Sequence, residues 1–335
     1  MILRKLAVKI LPKKVKCFLG RHVMNLKKTA SVWDQVETAK ASEYWWNFAA
    51  VRAVNLKRVT GDPGLSWYTW QIAGRQRPFG RVLAFGDGKG MAVEAILTKQ
   101  DTSEVVYVNI SPEECRRFDD LFSENGILVP HRCIIADANH YDYRRLGRFD
   151  TIISVGLFHH MHDFGALFSQ LHDVLTDSGI LYADEFTGPS QWRYQGRIVE
   201  LVNDILSALP AGLVLDRGKV RGEDFYRLWK ICGDPSESVR AGELHQALTD
   251  HFSILQMAHF GGSVLFPLFQ STYMTPRRLN VPNWHTTAEG QAEIMRLAAW
   301  EENLIETGQI PPHFRYYVLG KKGSRASSPD SQAEA

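Results

Sequence analysis

The chain has 335 residues, 44% of them hydrophobic, so it is long enough to bury one large core or two ordinary ones. Its 39 basic and 37 acidic residues give a net charge of +2, which excludes a globally basic nucleic-acid-binding protein. The four cysteines lie far apart without zinc-ligand spacing, and no apolar run reaches the ~20 residues that span a bilayer. These properties predict a soluble protein of the reducing cytoplasm.

Residues 1–34 form a basic N-terminal segment. The first 28 residues contain nine Lys or Arg, and the first acid is Asp34. Apolar side chains recur near helical spacing between the lysines, which predicts an amphipathic helix. Two interpretations stay open: the helix packs on the domain behind it, or it makes a peripheral contact with anionic lipid.

Residues 35–78 are predicted to form a helical extension, divided by the turn Gly61-Asp-Pro-Gly64. The extension is rich in aromatic residues, among them Trp45, Trp46 and Trp67. Core packing is the favoured interpretation, because Trp and Tyr bury large areas wherever they lie. A role in lining a pocket is the alternative.

From residue 79 short apolar runs alternate with helical stretches, which predicts a parallel sheet covered on both faces. The predicted strands are Val82–Phe85, Val105–Asn109, His131–Ile135, Thr151–Val155 and Gly179–Glu185. The predicted helices between them are Met91–Thr98, Pro112–Glu124 and Phe164–Leu175. Ligands of such sheets bind beyond the carboxyl ends of the strands, where polar and glycine residues of this chain gather.

Residues 191–322 are predicted to supply cap insertions and the remaining strands of the sheet. The predicted elements are a helix at Arg197–Leu209, a charged, glycine-rich loop to about Ser236, a strand at 252–258, a helix at Ala288–Ile305 and a last strand at His313–Leu319. The tail, residues 323–335, lacks large apolar side chains and is predicted to be disordered.

The first predicted strand leads into a loop with glycine at every second position, Gly86, Gly88 and Gly90. Glycine permits positive φ and close approach of a ligand to the backbone, and the amides at the start of the next helix favour an anion. A dinucleotide fingerprint requires its third glycine at position 91, which is Met. A nicotinamide-dependent oxidoreductase is therefore disfavoured.

Together with four later segments, this loop resembles the class I S-adenosylmethionine-dependent methyltransferases. The matching segments, in chain order, are Val82–Gly90, Val106–Pro112, Ala136–Ala138, Phe149–Asp163 and Leu175–Leu181. The resemblance implies an α/β fold with a Rossmann-like, doubly wound, seven-stranded sheet. Residues 79–190 then form the S-adenosylmethionine-binding core.

Three further segments are similar to a bacterial subgroup of that superfamily, often found among glycan-modifying and related enzymes. Asp184–Trp192 is similar to its N-E-Y-x-G-P-S segment, and Gly61-Asp-Pro and Glu302–Pro311 are similar to its flanks. The resemblance extends from about residue 40 to residue 322.

The resemblance also implies which residues bind the cofactor. Gly86, Gly88 and Gly90 approach the methionyl part, Asn109 the ribose, Asp137 with Ala138 beside it the adenine, and Gly156 the sulfonium. Asp87 and Ile110 belong to the same cofactor-binding set. Two positions depart from the family pattern. Asn109 stands where an acid usually accepts both ribose hydroxyls, and Ala84 stands where a carboxylate is common near the methionyl end. The first change is expected to cost about 1 kcal/mol of binding free energy.

Methyl transfer requires alignment of acceptor and sulfonium and, for many acceptors, a base. The candidates are His159 and His160 after the fourth strand and Glu185 at the end of the fifth. Each has a structural alternative: the histidines serve in packing, and Glu185 binds backbone amides of its own loop. A metal site at His159, His160 and His162 is not expected, because a fourth ligand is missing and consecutive loop histidines fit a preorganised site poorly.

The predicted function is methyl transfer to a small-molecule or glycan acceptor, with oxygen as the expected atom. The alternative is a catalytically weak protein of this fold that binds a partner or senses a ligand, which the absent carboxylates at Ala84 and Asn109 motivate. A nucleic-acid acceptor is not expected. No basic stripe follows the first 28 residues, and the fourth strand ends Ser154-Val-Gly-Leu-Phe158 rather than in the signature of base amino methylation.

Overall fold

The computed structural model describes residues 28–31, 45, 48–67, 71, 75, 77–86, 93–94, 96, 101–209, 218–232, 234–269 and 286–323. Several predictions fall outside these residues. They concern nearly all of the basic segment before residue 35, most of the helix predicted at Met91–Thr98, the cofactor residues Asp87, Gly88 and Gly90, and the tail from residue 324.

A seven-stranded sheet forms the centre of the described structure, with strand order β3-β2-β1-β4-β5-β7-β6. The strands are β1 Gly80–Gly86, β2 Thr102–Asn109, β3 His131–Ile135, β4 Phe149–Val155, β5 Leu175–Phe186, β6 Phe252–His259 and β7 Phe314–Lys321. The pairs among β1 to β5 are parallel, whereas β7 runs antiparallel to both β5 and β6. The predicted α/β fold with a seven-stranded sheet is confirmed.

Helices cover both faces of this sheet. Those of the described residues are α1 Ala49–Thr60, α2 Pro112–Glu124, α3 Phe164–Val174, α4 Gly196–Ala208, α5 Gly222–Ile231, α6 Ala241–His251, α7 Leu265–Phe269 and α8 Ala288–Glu306. Short 3₁₀ helices lie at Tyr143–Leu146, Phe158–His160 and Ser190–Trp192. None of the helices that the structure describes is both long and apolar enough to cross a membrane.

The buried strands form where the sequence is continuously apolar. Val82, Leu83 and Phe85 of β1 are fully buried, as expected of a central parallel strand covered on both faces. The helix after β2 begins at Ser111, whose Oγ accepts the backbone N–H of Glu114 over 3.0 Å. This cap fixes the point at which the chain turns away from the carboxyl edge of the sheet.

Two features of the region before β6 differ from the sequence prediction. Helix α5, Gly222–Ile231, lies within the segment predicted as a loop to about Ser236, and α6, Ala241–His251, was not predicted. The side chain of Asp224 accepts the backbone N–H of Arg221 over 2.8 Å and caps α5. Leu244 and Leu248 of α6 are fully buried with the apolar residues of α3. The cap of α5 and the buried leucines of α6 therefore stabilise helices in a region whose glycine and charge content did not predict them.

Candidate functional site

The carboxyl ends of β1, β2, β3, β4 and β5 bring most of the predicted site residues to one edge of the sheet. In the pairing of β1 with β4, Gly86 lies opposite Val155, and in that of β2 with β3, Asn109 lies opposite Ile135. Glu185 lies at the end of β5, one residue beyond Asp184, the partner of Val155. The five parallel strands thus deliver five loops to a common edge, as this sheet topology requires.

Gly86 closes β1 at a point where no side chain fits. Its φ is +68°, and an added Cβ would lie 2.1 Å from the carbonyl oxygen of Val155. Glycine is therefore required by the packing of β1 against the end of β4. Two residues earlier, Ala84 is completely buried within the sheet.

Asn109 connects the ends of β1 and β2. Its Oδ1 accepts the backbone N–H of Ser111 over 2.9 Å, and its Nδ2 donates to the hydroxyl of Tyr107 over 2.8 Å. That hydroxyl in turn donates to the carbonyl of Gly86. Ile110, between Asn109 and the cap of α2, is half-buried. The side-chain amide of Asn109, at the position where the family usually has an acid, thus helps to join the ends of β1 and β2 by hydrogen bonds.

Asp137 follows β3 and organises its own turn. Its Oδ1 accepts the backbone N–H of Asn139 over 3.0 Å, and its Oδ2 lies 2.5 Å from Nδ1 of His140. Burial raises the pKa of Asp137, but the hydrogen bonds from His140 and Asn139 outweigh it and hold the pKa below its ordinary value. Asp137 therefore presents a negative charge at the end of β3. The neighbouring Ala138 is buried, and its carbonyl accepts the hydroxyl of Tyr143 over 3.1 Å.

Glu185 is 1% exposed and binds the loop that follows β4. Its Oε1 accepts the hydroxyl of Ser154 over 3.0 Å and the backbone N–H groups of Leu157 and Phe158 over 3.1 and 2.8 Å. Its Oε2 accepts the backbone N–H of His159 over 3.3 Å and lies 2.9 Å from Nδ1 of the same residue. The carboxylate thus fixes both the backbone and the imidazole of His159.

The pKa values of His159 and His160 shift in opposite directions, although the two residues are neighbours in one 3₁₀ helix. Burial lowers the pKa of His159, but the hydrogen bond to Glu185 and the negative charge of Glu237 raise it above its ordinary value. For His160, burial and the adjacent His159 together lower the pKa. Gly156, which precedes this turn with a φ of +60°, donates its N–H to the carbonyl of Asp184 over 2.8 Å.

The chain between α5 and α6 supplies residues that the sequence did not reveal. Nδ1 of His160 lies 3.0 Å from Oγ of Ser236 and 3.5 Å from Oδ2 of Asp234. Glu237 brings its carboxylate to within 3.9 Å of Nε2 of His159. No spacing links these residues to the histidines, because they are about 75 residues away in the chain and the sequence predicted a loop there. His162, by contrast, donates its backbone N–H to Asn139 over 2.8 Å.

The aromatic side chains that flank this edge are mostly core residues. Trp45, Trp192 and Tyr194 are at most 1% exposed and belong to one apolar cluster. Trp45 packs against Phe260 and Phe314, with ring centroids 6.4 and 5.4 Å apart. This agrees with the favoured interpretation of the aromatic residues as core. Trp46 lies outside the described residues.

Residues 83–183 match the family model described as a methyltransferase domain. The chain carries a methyltransferase domain. The matched range begins in β1 and ends in β5, so it contains Gly86, Asn109, Asp137 and the loop of His159. The resemblance to the class I S-adenosylmethionine-dependent methyltransferases is confirmed, together with the enzyme class and the cofactor that follow from it. No curated protein matches the chain.

Solved structures of similar topology include an O-methyltransferase and a cyclopropane synthase. One is the O-methyltransferase from a trans-AT polyketide synthase multienzyme of Brevibacillus brevis in complex with S-adenosyl-L-homocysteine, at 12% identity over 76% of this chain and 71% of that chain, with a TM-score of 0.42. Another is a cyclopropane synthase from Mycobacterium tuberculosis, at 16% identity over 82% and 98%, with a TM-score of 0.43.

Proposed function

We propose that this methyltransferase moves a methyl group from S-adenosylmethionine to an oxygen of a small-molecule or glycan acceptor, with His159 as the base. The observation that carries the proposal is the hydrogen-bonded pair of His159 and Glu185 at the carboxyl edge of the sheet. A buried carboxylate that orients an imidazole is a common arrangement for proton removal from a hydroxyl.

The residues at the strand ends fit the proposed cofactor. Gly156 follows β4 with positive φ, and an added Cβ there would meet only Cε1 of His159, at 3.8 Å, so a ligand can approach this backbone closely. Gly86 belongs to the proposed set through its backbone alone, because the carbonyl of Val155 fills the space where its side chain would lie. Asn109 retains a second lone pair on Oδ1 for a ribose hydroxyl, and Asp137 offers a charged acceptor for the adenine amino group. Ile110 and Ala138 lie beside these two, and Asp87, Gly88 and Gly90 complete the proposed set. S-adenosylmethionine supplies the electrophilic methyl group on its sulfonium.

The proposed base acts through the nitrogen that Glu185 does not bind. When Nδ1 donates to Glu185, Nε2 carries the lone pair that can accept a proton. The negative charge of Glu185 then stabilises the imidazolium that forms. Glu185 is in this proposal a positioning residue. His160 is held by Ser236 and Asp234 of the cap instead, so we assign the proton to His159 rather than to His160.

Labelled methyl transfer to cell extracts tests the proposed activity. The extract is separated into small-molecule, glycan, protein and nucleic-acid fractions, and label is expected in one of the first two. His159→Ala is expected to lower the rate at least about 100-fold, because a positioned general base contributes that much or more. Its affinity for S-adenosylmethionine, measured by calorimetry, is expected to stay unchanged.

His172→Ala is the matched control for that experiment. His172 lies in the last turn of α3, and its Nε2 contacts the carbonyl of Lys322 at the opposite edge of the sheet. This variant is expected to keep full activity. Full turnover of His159→Ala would remove the proposed base, and label confined to protein or nucleic acid would overturn the proposed acceptor class.

The alternative is a protein of this fold that binds a partner or senses a ligand without rapid turnover. It is supported by Asn109, whose amide is used within the sheet edge, and by Ala84, since both stand where carboxylates are customary. Calorimetry separates the two functions. Absence of detectable binding at millimolar S-adenosylmethionine would favour the alternative, and binding followed by methyl transfer would exclude it.

A further inference from the structure

Three side chains of metal-ligand type converge beside the proposed base. Nε2 of His159 lies 3.9 Å from Oε1 of Glu237, and Nε2 of His160 lies 3.8 Å from Oε2 of the same carboxylate. Ligand atoms of all three residues lie within 4.8 Å of one another. The two imidazole rings are adjacent, with centroids 4.3 Å apart.

These separations are too long for hydrogen bonds and close to those around a shared ion. A hydrogen bond between nitrogen and oxygen spans about 2.7–3.2 Å. Ligand atoms around a tetrahedral zinc ion, with bonds of about 2.0–2.1 Å, lie roughly 3.4 Å apart. The separations of Glu237 from the two imidazoles therefore exceed this value by only about half an ångström, and no two ligand atoms of the three residues are more than 4.8 Å apart.

The opposite nitrogen of each imidazole already has a partner that orients the ring. Nδ1 of His159 lies 2.9 Å from Glu185, and Nδ1 of His160 lies 3.0 Å from the hydroxyl of Ser236. Asp234 fixes that hydroxyl, which donates to its Oδ1 over 2.7 Å. Metal-binding histidines characteristically donate their second N–H to such a partner, which sets the tautomer and directs Nε2 toward the metal.

The charge around the two histidines also favours a cation. Glu237 contributes one carboxylate, and Asp234 and Glu185 contribute two more that contact the outer nitrogens. Asp234 and Glu185 are 5% and 1% exposed, so water screens their charges weakly. A divalent ion would offset this buried negative charge.

We propose that His159, His160 and Glu237 bind one divalent transition-metal ion of the zinc class, with further positions open to oxygen ligands. Two imidazoles and one carboxylate are a ligand set that suits zinc, and three protein ligands leave a coordination position free. The sequence predicted no metal, because His159, His160 and His162 lacked a fourth ligand and consecutive loop histidines fit a preorganised site poorly. Glu237, from the segment between α5 and α6, gives His159 and His160 a third ligand.

Metal binding has a direct consequence for the proposed base, and this step alone rests on the proposed function. An ion on Nε2 of His159 occupies the lone pair assigned to the proton of the acceptor. The metal-bound protein therefore cannot use His159 as a base, and zinc is expected to inhibit methyl transfer without displacing S-adenosylmethionine.

Zinc titration of the full-length protein tests the site. The protein is first treated with a chelator and dialysed, and Zn²⁺ binding is then followed by calorimetry. Wild type is expected to bind one Zn²⁺ that Glu237→Gln and His160→Ala bind at least about 100-fold more weakly, because loss of an outer-shell partner alone costs 10–100-fold. All variants retain Cys115, Cys133 and Cys232, so zinc held by these thiols is common to every sample.

Glu223→Gln is the matched control, because Glu223 is an exposed acid in the first turn of α5. It is expected to bind Zn²⁺ as wild type does, and circular dichroism verifies that each variant is folded. Equal Zn²⁺ affinity in wild type, Glu237→Gln and His160→Ala would overturn the metal site. S-adenosylmethionine titrated in the same samples reports on the proposed function separately, since its binding does not require the ion.

Discussion

The backbone N–H of Gln191 donates to the carbonyl of Ser238 over 2.7 Å, and both residues lie in the left-handed region, with φ of +55° and +49°. Trp192, next to Gln191, has a φ of +51°. This hydrogen bond joins the segment after β5 to the residue that follows Glu237. Non-glycine residues in this conformation are strained, and such strain concentrates at functional sites. The contact therefore holds the segment between α5 and α6 against the candidate site, and the strained backbone conformation lowers the stability of the fold.

Comparison of glycine and alanine at position 191 measures that cost. Both Gln191→Gly and Gln191→Ala remove the side-chain contact with Arg193, so the two variants differ only in their backbone preference. Gln191→Gly is expected to exceed Gln191→Ala in free energy of unfolding by about 1 kcal/mol, the penalty that a Cβ carries in the left-handed region. Chemical denaturation measures the difference. Equal stability of the two variants would contradict a strained Gln191.

Gly86→Ala is expected to destabilise the protein by more than about 3 kcal/mol, because its Cβ would collide with the carbonyl of Val155. Gly126→Ala is the control, since Gly126 has a similar φ of +61° and open space around it. Its cost is expected to be only about 1 kcal/mol, from the backbone conformation alone. Thermal unfolding of both variants separates steric collision from strain. Equal losses would show that the close approach to β4 is not limiting.

The central strands β1 and β4 could be predicted from the sequence because they contain continuous apolar runs. His131–Ile135 has the predicted bounds, and helix α2 begins and ends where Ser111, Pro112 and the apolar spacing predict. β5 begins at Leu175 rather than at Gly179, because its first residues pair beside Phe149 of β4. That pairing is a tertiary interaction which no local pattern contains.

The candidate site was only partly predictable for the same reason. Glycine, asparagine and acidic residues at strand ends could be identified in the sequence, since the topology places all strand ends together. Glu237, Asp234 and Ser236 could not, because their approach to the histidines depends on how α5 and α6 fold over the sheet edge. The dominant interaction of Glu185, with backbone amides of the β4 loop, was foreseen only as an alternative.

Glu185→Gln is expected to lower the free energy of unfolding by about 3–5 kcal/mol. The carboxylate accepts hydrogen bonds at both oxygens, and the amide of Gln would direct N–H groups at donors of the β4 loop. Glu243→Gln removes a carboxylate from the exposed pair with Arg240 and is expected to cost less than about 1 kcal/mol. Urea denaturation of both variants makes the comparison. A small effect of Glu185→Gln would mean that the loop does not depend on this carboxylate.

His313 is expected to make the stability depend on pH. It is 3% exposed, and its Nδ1 makes no hydrogen bond to the described residues. Burial, followed by the charge of Arg315, lowers its pKa to about 3. Because the folded pKa lies below the unfolded value of about 6.5, the unfolded chain binds the proton more readily. The neutral imidazole therefore favours folding fully above that pH, and this contribution is lost as the pH falls.

His313→Gln isolates this contribution, because the other titrating groups are the same in both proteins. Between pH 6 and pH 4, the unfolding free energy of wild type is expected to fall more steeply than that of His313→Gln, by about 1.4 kcal/mol per pH unit. Urea denaturation at several pH values gives both slopes. Parallel slopes would mean that His313 takes up its proton in the folded protein as readily as in the unfolded chain, which requires an acceptor or water at its buried ring.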